Sequence, residues 1–148
     1  MTDCLFCKII KGEIESSKFW EDVDFVAILD LFPNTPGASV VISKEHHESN
    51  YLNLEDETLK KFIIAVKNAA ANLKTGVGVE RVAVAIEGVL VNHLHAKLYP
   101  LHSEGELEPA VSDQPFFTDK YLGYFSTHAG PMASREDLDR LADEIKSS

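Results

Sequence analysis

The stretch VNHLHAKLYPLH, residues 91–102, sets His93, His95 and Lys97 at every second position. Alternate residues of a strand share a face, so two imidazoles and an ammonium would stand in a row, roughly 6–7 Å apart. A histidine titrating near neutrality can serve as a nucleophile or as a general acid and base. A neighbouring ammonium disfavours the imidazolium, so Lys97 is expected to keep His95 neutral, which is its nucleophilic form. The same lysine can hold a phosphate oxygen as a point charge. The solvated face of an antiparallel strand would also carry this pattern.

Working outward, RVAVAI (residues 81–86) reads as the preceding strand and SVVIS (39–43) as a buried one, because its apolar run is nearly continuous. KFWEDVDFVAILD (18–30) reads as two short strands meeting near Asp22 and Asp24, and the prolines and glycine of LFPNTPGA (31–38) mark a turn. Asn53 is expected to cap a long helix, with Leu59, Phe62, Ile63, Val66, Ala70 and Leu73 as its core stripe and Gly76 at its end. CLFCKIIKGEI (4–14) reads as a short helix broken at Gly12. After an acidic loop from Ser103 to Pro115, KYLGYFST (120–127) reads as a strand. A final helix then starts at Ser134, with Leu138, Leu141 and Ile145 as its buried edge. Strands and hairpins interrupted by one long helix give an α+β fold with a mainly antiparallel sheet.

At 148 residues the chain reads as one domain, 1–148, with a core of about 4–102 and a C-terminal extension of about 103–148. No apolar run approaches a membrane span, and the N-terminus has no long apolar segment, so a soluble cytoplasmic protein is expected, with no membrane partner. The net charge of −10 argues against general nucleic-acid binding. It leaves open a nucleotide substrate held in a locally positive pocket.

The two cysteines, Cys4 and Cys7, stand two residues apart, a spacing compatible with a metal clip, a redox pair or plain buried thiols. Six histidines accompany them: His46, His47, His93, His95, His102 and His128. A closed zinc site commonly takes two Cys and two His, and the histidine pairs can complete the set.

Three stretches together resemble the histidine-triad (HIT) family. HLHAKLYP resembles its His-x-His-x-His signature, FVAILDLFPNTPGASVVISKEHH (25–47) its strand–Asp–turn–strand–Lys-x-His marker, and CLFCKIIKGEI the N-terminus of bacterial members. The match runs from about Cys4 to His102 and is nearest to a bacterial subgroup described as HIT-like diadenosine polyphosphate hydrolases. The resemblance implies a five-stranded antiparallel sheet with one long helix, dimerised into a ten-stranded sheet. It also implies a hydrolase or nucleotidyl transferase acting at a nucleoside α-phosphate of a dinucleoside polyphosphate or phosphoramidate. His95 would attack phosphorus and become nucleotidylated, with Lys97 in the third position. Asp30 would bind the ribose hydroxyls, and Leu31, Phe25 and Ile28 would line the base pocket of a purine nucleotide or dinucleotide. Zinc-bearing relatives place ligands at Cys4, Cys7, His46 and His93.

The chain departs from the family at Ala38 and Ser43, from which no chemistry follows, and in the motif and the loop before it. Lys97 stands where the third histidine is expected. GVLV (88–91) replaces a Gly-Gln-Ser/Thr-Val loop, so Val89 and Leu90 stand for a polar pair, and the loop lacks an asparagine that touches phosphate. Glu87, Asn92, Lys44, His102 and His128 are the candidates to compensate. A slow or non-catalytic nucleotide-binding module with structural zinc is the alternative reading, and a zinc-stabilised interaction protein is a third.

Overall fold

The protein was analysed as a computed structural model that describes residues 4–103, 111, 125–127 and 129–147. The chain forms two compact units, Met1–Ser103 and Glu104–Ser148.

The first unit is built on a five-stranded antiparallel sheet. Its strands are β1 (Lys18–Glu21), β2 (Phe25–Leu29), β3 (Ser39–Ser43), β4 (Val82–Ala85) and β5 (His95–Pro100), and their spatial order is β1-β2-β3-β5-β4. A short helix α1 (Leu5–Ile10) precedes the sheet, and α2 (Asp56–Val77) links β3 to β4. Over its 22 residues α2 extends about 33 Å. The sheet is covered on both faces, which is why FVAIL and SVVIS are apolar without alternation. One face carries Phe25, Ala27, Val41, Ala96 and Leu98, packed with Phe62, Ala65, Val66, Ala69 and Leu73 of α2. The other carries Val26, Ile28, Val40 and Ile42, packed with Phe6 of α1. The register Ile42↔His95 and Val40↔Lys97 puts both motif residues of β5 on this second face.

Several local expectations are corrected. Glu55, not Asn53, precedes the first turn of α2; Asn53 belongs to a short 3-10 turn whose cap is Asn50. Gly76 lies within the helix, and Gly78 ends it at φ +72°, where only glycine avoids a steric penalty. Ile63 is 44% exposed, and Ala65 and Ala69 take the core positions. The helical period fixes a stripe but not its angle to the sheet. Among the described residues no helix is long and apolar enough to cross a membrane.

In the second unit, α3 (Arg135–Lys146) begins as expected. The Ser134 hydroxyl accepts from the Asp137 amide at 3.1 Å. Leu138, Leu141 and Ile145 are exposed rather than buried. Amphipathic spacing decides which residues share a face, not whether something covers it. The expected strand at 120–127 falls largely outside the described residues, as does His128, and Phe125–Thr127 are not in a strand.

Candidate active site and metal centre

β5 begins at His95, so His93 lies in the approach to the strand rather than in it. It is nonetheless fully buried. Its Nε2 lies 2.7 Å from the carbonyl oxygen of Ser43. A carbonyl only accepts, so Nε2 carries the hydrogen and Nδ1 of the neutral ring keeps its lone pair. That Nδ1 faces two thiols, 3.4 Å from Cys4 Sγ and 3.6 Å from Cys7 Sγ. Cys7 Sγ is 3.3 Å from His46 Nδ1. The four donor atoms all lie within 4.8 Å of one another.

These spacings fit a tetrahedral ion. With Zn–S near 2.3 Å and Zn–N near 2.0–2.1 Å, neighbouring S and N ligands are about 3.6 Å apart. The Ser43 carbonyl supplies the outer partner that fixes a ligating imidazole. Cys4 and Cys7 come from either end of the first turn of α1, His46 from the segment after β3, and His93 from the approach to β5. An ion here would join three separate segments. Burial, followed by the adjoining Cys4 thiol, pushes the Cys7 thiol above its ordinary value, so metal binding would have to displace its proton. Burial likewise holds His93 below the usual histidine range, which favours the ligating form.

His95 is also buried, and its Nδ1 lies 2.7 Å from the carbonyl oxygen of His93. By the same argument Nδ1 carries the hydrogen and Nε2 is bare. Burial is the main cause that depresses its pKa, and the Lys97 ammonium adds to it. The His93 carbonyl and the Glu87 carboxylate oppose both, and the net shift is downward. A neutral imidazole with an unprotonated Nε2 can attack an electrophilic phosphorus. Phe6, between the two cysteines, sets its ring edge against both His93 and His95, at centroid distances of 5.8 and 5.3 Å. The role of Phe6 as the packing wall of both rings was not evident from its position in CLFC.

Lys97 does not stand alone. Its ammonium is ion-paired with the Glu87 carboxylate. Burial pulls the Lys97 pKa down, but Glu87, with smaller contributions from Tyr99 and Asp30, outweighs it and leaves the value raised. Tyr99, two residues further along the same face, is pushed up by burial; Lys97 opposes this shift, and Glu87 and Asp30 add to it. Three of the other candidate compensating groups have hydrogen-bond partners outside this pair. Lys44 donates to the Asp22 carbonyl, the Asn92 side-chain oxygen accepts from the Ser49 amide at 3.0 Å, and His102 donates to the Pro36 carbonyl at 2.8 Å.

Asp30 follows β2 and accepts from the Phe32 amide at 2.8 Å, the geometry of an Asx turn. Ile28 lies on the His95 face, and Leu31 is 83% exposed on the turn. Phe25 lies on the opposite face. Its ring packs against Phe62 of α2 at 5.7 Å, so it cannot line a pocket around His95. Both faces of β2 are apolar, so no alternation marked which residues face the site.

The HIT domain matches residues 11–103. The chain belongs to the HIT-domain family. It is 34% identical over 148 residues to Protein hit of Bacillus subtilis, covering 97% of this chain and 92% of that protein. It is 34% identical over 110 residues to the adenosine 5'-monophosphoramidase HNT1 of Candida albicans, covering 68% of this chain and 72% of that one. The crystal structure of SMU.412c from Streptococcus mutans superposes with a TM-score of 0.71 at 28% identity, covering 99% of this chain and 85% of that chain. In this HIT protein the motif histidines divide: His93 turns to the Cys/His cluster, and His95 presents a bare Nε2.

Proposed function

We propose that this HIT protein hydrolyses a nucleoside phosphoramidate or dinucleoside polyphosphate at its α-phosphate, with His95 as nucleophile. Nε2 of His95 forms a bond to phosphorus while the bond to the leaving group breaks. The leaving group departs with the bonding pair and takes a proton from solvent. Water then attacks phosphorus, the P–N bond breaks, and nucleoside monophosphate leaves with His95 restored neutral. The excess proton passes to solvent. In this reading Asp30 would hold the ribose, and Ile28 and Leu31 would flank the base. The observation that carries this reading is the His95 ring itself, buried, neutral and oriented by the His93 carbonyl. The phosphoramidase among its relatives supports it. Zinc suits the Cys4, Cys7, His46 and His93 donors, where it would fasten α1 to the sheet behind His95. A homodimer, as the family resemblance implies, in the cytoplasm completes the reading.

The test is release of adenosine monophosphate from adenosine 5'-phosphoramidate and from diadenosine tetraphosphate by the parent and by His95→Ala. Turnover by the parent and at least ~10³-fold loss in the variant is the expected result. Equal rates in the two proteins would sink it. A nucleotide-binding module without turnover is the second reading, favoured by the Lys97–Glu87 pair where the family carries its third histidine. Nucleotide binding without a trapped nucleotidyl-His95 adduct is its signature.

A further inference from the structure

We propose that Glu87 is a specificity-determining charge filter, which makes this site favour substrates whose leaving group is uncharged or cationic over those that leave as polyphosphates. The inference rests on the nucleotide-site reading of His95 given above.

Lys97 lies two residues beyond His95 on the same sheet face, and in that reading it would meet a phosphate oxygen. Its cross-strand neighbour is Ala85, the last residue of β4. Two residues further on, Glu87 turns back over Lys97 and pairs with it. The Lys97 and Glu87 side chains are only 24% and 11% exposed, so solvent screens the pair weakly. A carboxylate in contact with the ammonium cancels most of the charge that a phosphate would meet. Asp30 adds a second negative charge within electrostatic reach of Lys97. The field of Glu87 also reaches His95 and Tyr99, so it spans the face on which a phosphate would sit.

In the adjoining loop, Val89 and Leu90 bring no side-chain charge or hydrogen-bond donor. Leu90 is 94% exposed, and Val89 and Leu90 are both apolar. A single α-phosphate that reaches Lys97 competes with Glu87 for the same ammonium. Each further phosphate adds negative charge beside a carboxylate, and among the described residues Lys97 is the cation paired there. Ammonia or an alkylamine attached to phosphorus adds none, and a cationic substituent on it would be attracted to Glu87.

The experiment measures affinities of AMP, ADP and ATP by calorimetry, without added magnesium and at low salt, for the parent, Glu87→Gln and Glu87→Asp. Turnover of adenosine 5'-phosphoramidate and of diadenosine tetraphosphate is measured on the same samples. In the parent, affinity should fall about three- to tenfold per added phosphate, with the differences shrinking as salt is raised. Glu87→Gln should flatten or reverse that order and raise the tetraphosphate/phosphoramidate ratio of kcat/KM at least tenfold, while Glu87→Asp keeps the parent's order. A parent that binds ATP as tightly as AMP overturns the proposal. So does a Glu87→Gln variant that weakens all three nucleotides equally, since that is the mark of a purely structural acid. If Glu87→Gln does not fold, the parent series and its salt dependence still decide. A parent that ranks the nucleotides as expected but turns over neither substrate keeps the filter and removes the hydrolase reading.

Discussion

The imidazole of His95 donates from Nδ1 to the backbone carbonyl of His93 across 2.7 Å. His93 in turn donates from Nε2 to the Ser43 carbonyl across 2.7 Å and directs Nδ1 at Cys4 and Cys7. The ring that faces the Cys/His cluster and the ring of His95 are therefore linked through one residue. Each takes its tautomer from a carbonyl. The ¹⁵N spectrum of ring-labelled protein near pH 7.5 should show His95 protonated on Nδ1 alone. His95→Gln, which keeps an amide but no nucleophilic nitrogen, should lose turnover as fully as His95→Ala. A His95 signal with Nε2 protonated would contradict the assignment.

The four-donor cluster predicts one tightly held zinc per chain. Cys7→Ser should lower metal retention at least tenfold, because a serine hydroxyl is a poor replacement for thiolate. Chelation of the parent should lower its stability by roughly 3–4 kcal/mol, the linkage value for free metal at several hundred times Kd. For a chain of this size that is a fall in Tm of roughly 10 °C. Elemental analysis and thermal melts on the same samples check both. A parent purified under mild conditions with no bound metal, and a melt indifferent to added zinc, would refute the site.

Residue types and spacing carried the core of this site, but not its surroundings. His95 and Lys97 follow from a strand period of two, and their shared face is set by the pairing of β5 with β3. Cys4, Cys7, His46 and His93 are legible because few residue types ligate zinc, and the family resemblance selected His46 over His47. Glu87 was harder to read. It pairs with a residue ten positions away, across a turn whose conformation no local motif specifies. Phe25 was misassigned because a strand buried on both faces has no polar positions to mark its orientation. The ends of α2 slipped by about two residues, as helix ends do when several residues compete to cap them. Asn50, Asn53 and Glu55 all precede this one.

Gly88 is where the loop into the motif strand is least tolerant of change. Its φ is +64°, and a Cβ there would lie 2.7 Å from the backbone oxygen of Ser49. The same serine holds the loop, donating from its hydroxyl to the Gly88 carbonyl at 2.7 Å. Gly88→Ala should therefore cost roughly 2–3 kcal/mol, from strain and a backbone clash that cannot relax by a rotamer change. Gly12→Ala is the control. Gly12 has a similar φ of +76° but nothing within 4 Å of the added carbon, so only the left-handed backbone penalty of about 1–2 kcal/mol applies. Urea denaturation of both variants checks the contrast. Equal losses would mean that the approach to Ser49 carries no energy.

The Lys97–Glu87 pair gives stability a signature in the alkaline range. Burial alone would lower the Lys97 pKa; Glu87 reverses this, and the folded value lies above the ordinary 10.5. A group whose folded pKa is raised contributes stability that is fully present below its unfolded pKa and is lost as pH rises through the folded one. Lys97→Met keeps the length of the side chain and removes the charge. It should cost on the order of 1–3 kcal/mol at neutral pH. That difference from the parent should stay level up to about pH 10 and shrink above it, as the parent's own ammonium deprotonates. Denaturation curves of both proteins at closely spaced pH values test this, because subtracting one from the other removes the titration of lysines and tyrosines remote from Lys97, and Tyr99→Phe in both backgrounds removes that of its neighbour Tyr99. A difference that grows above pH 10 would mean that the ammonium is destabilised by its surroundings, and that Glu87 does not hold it.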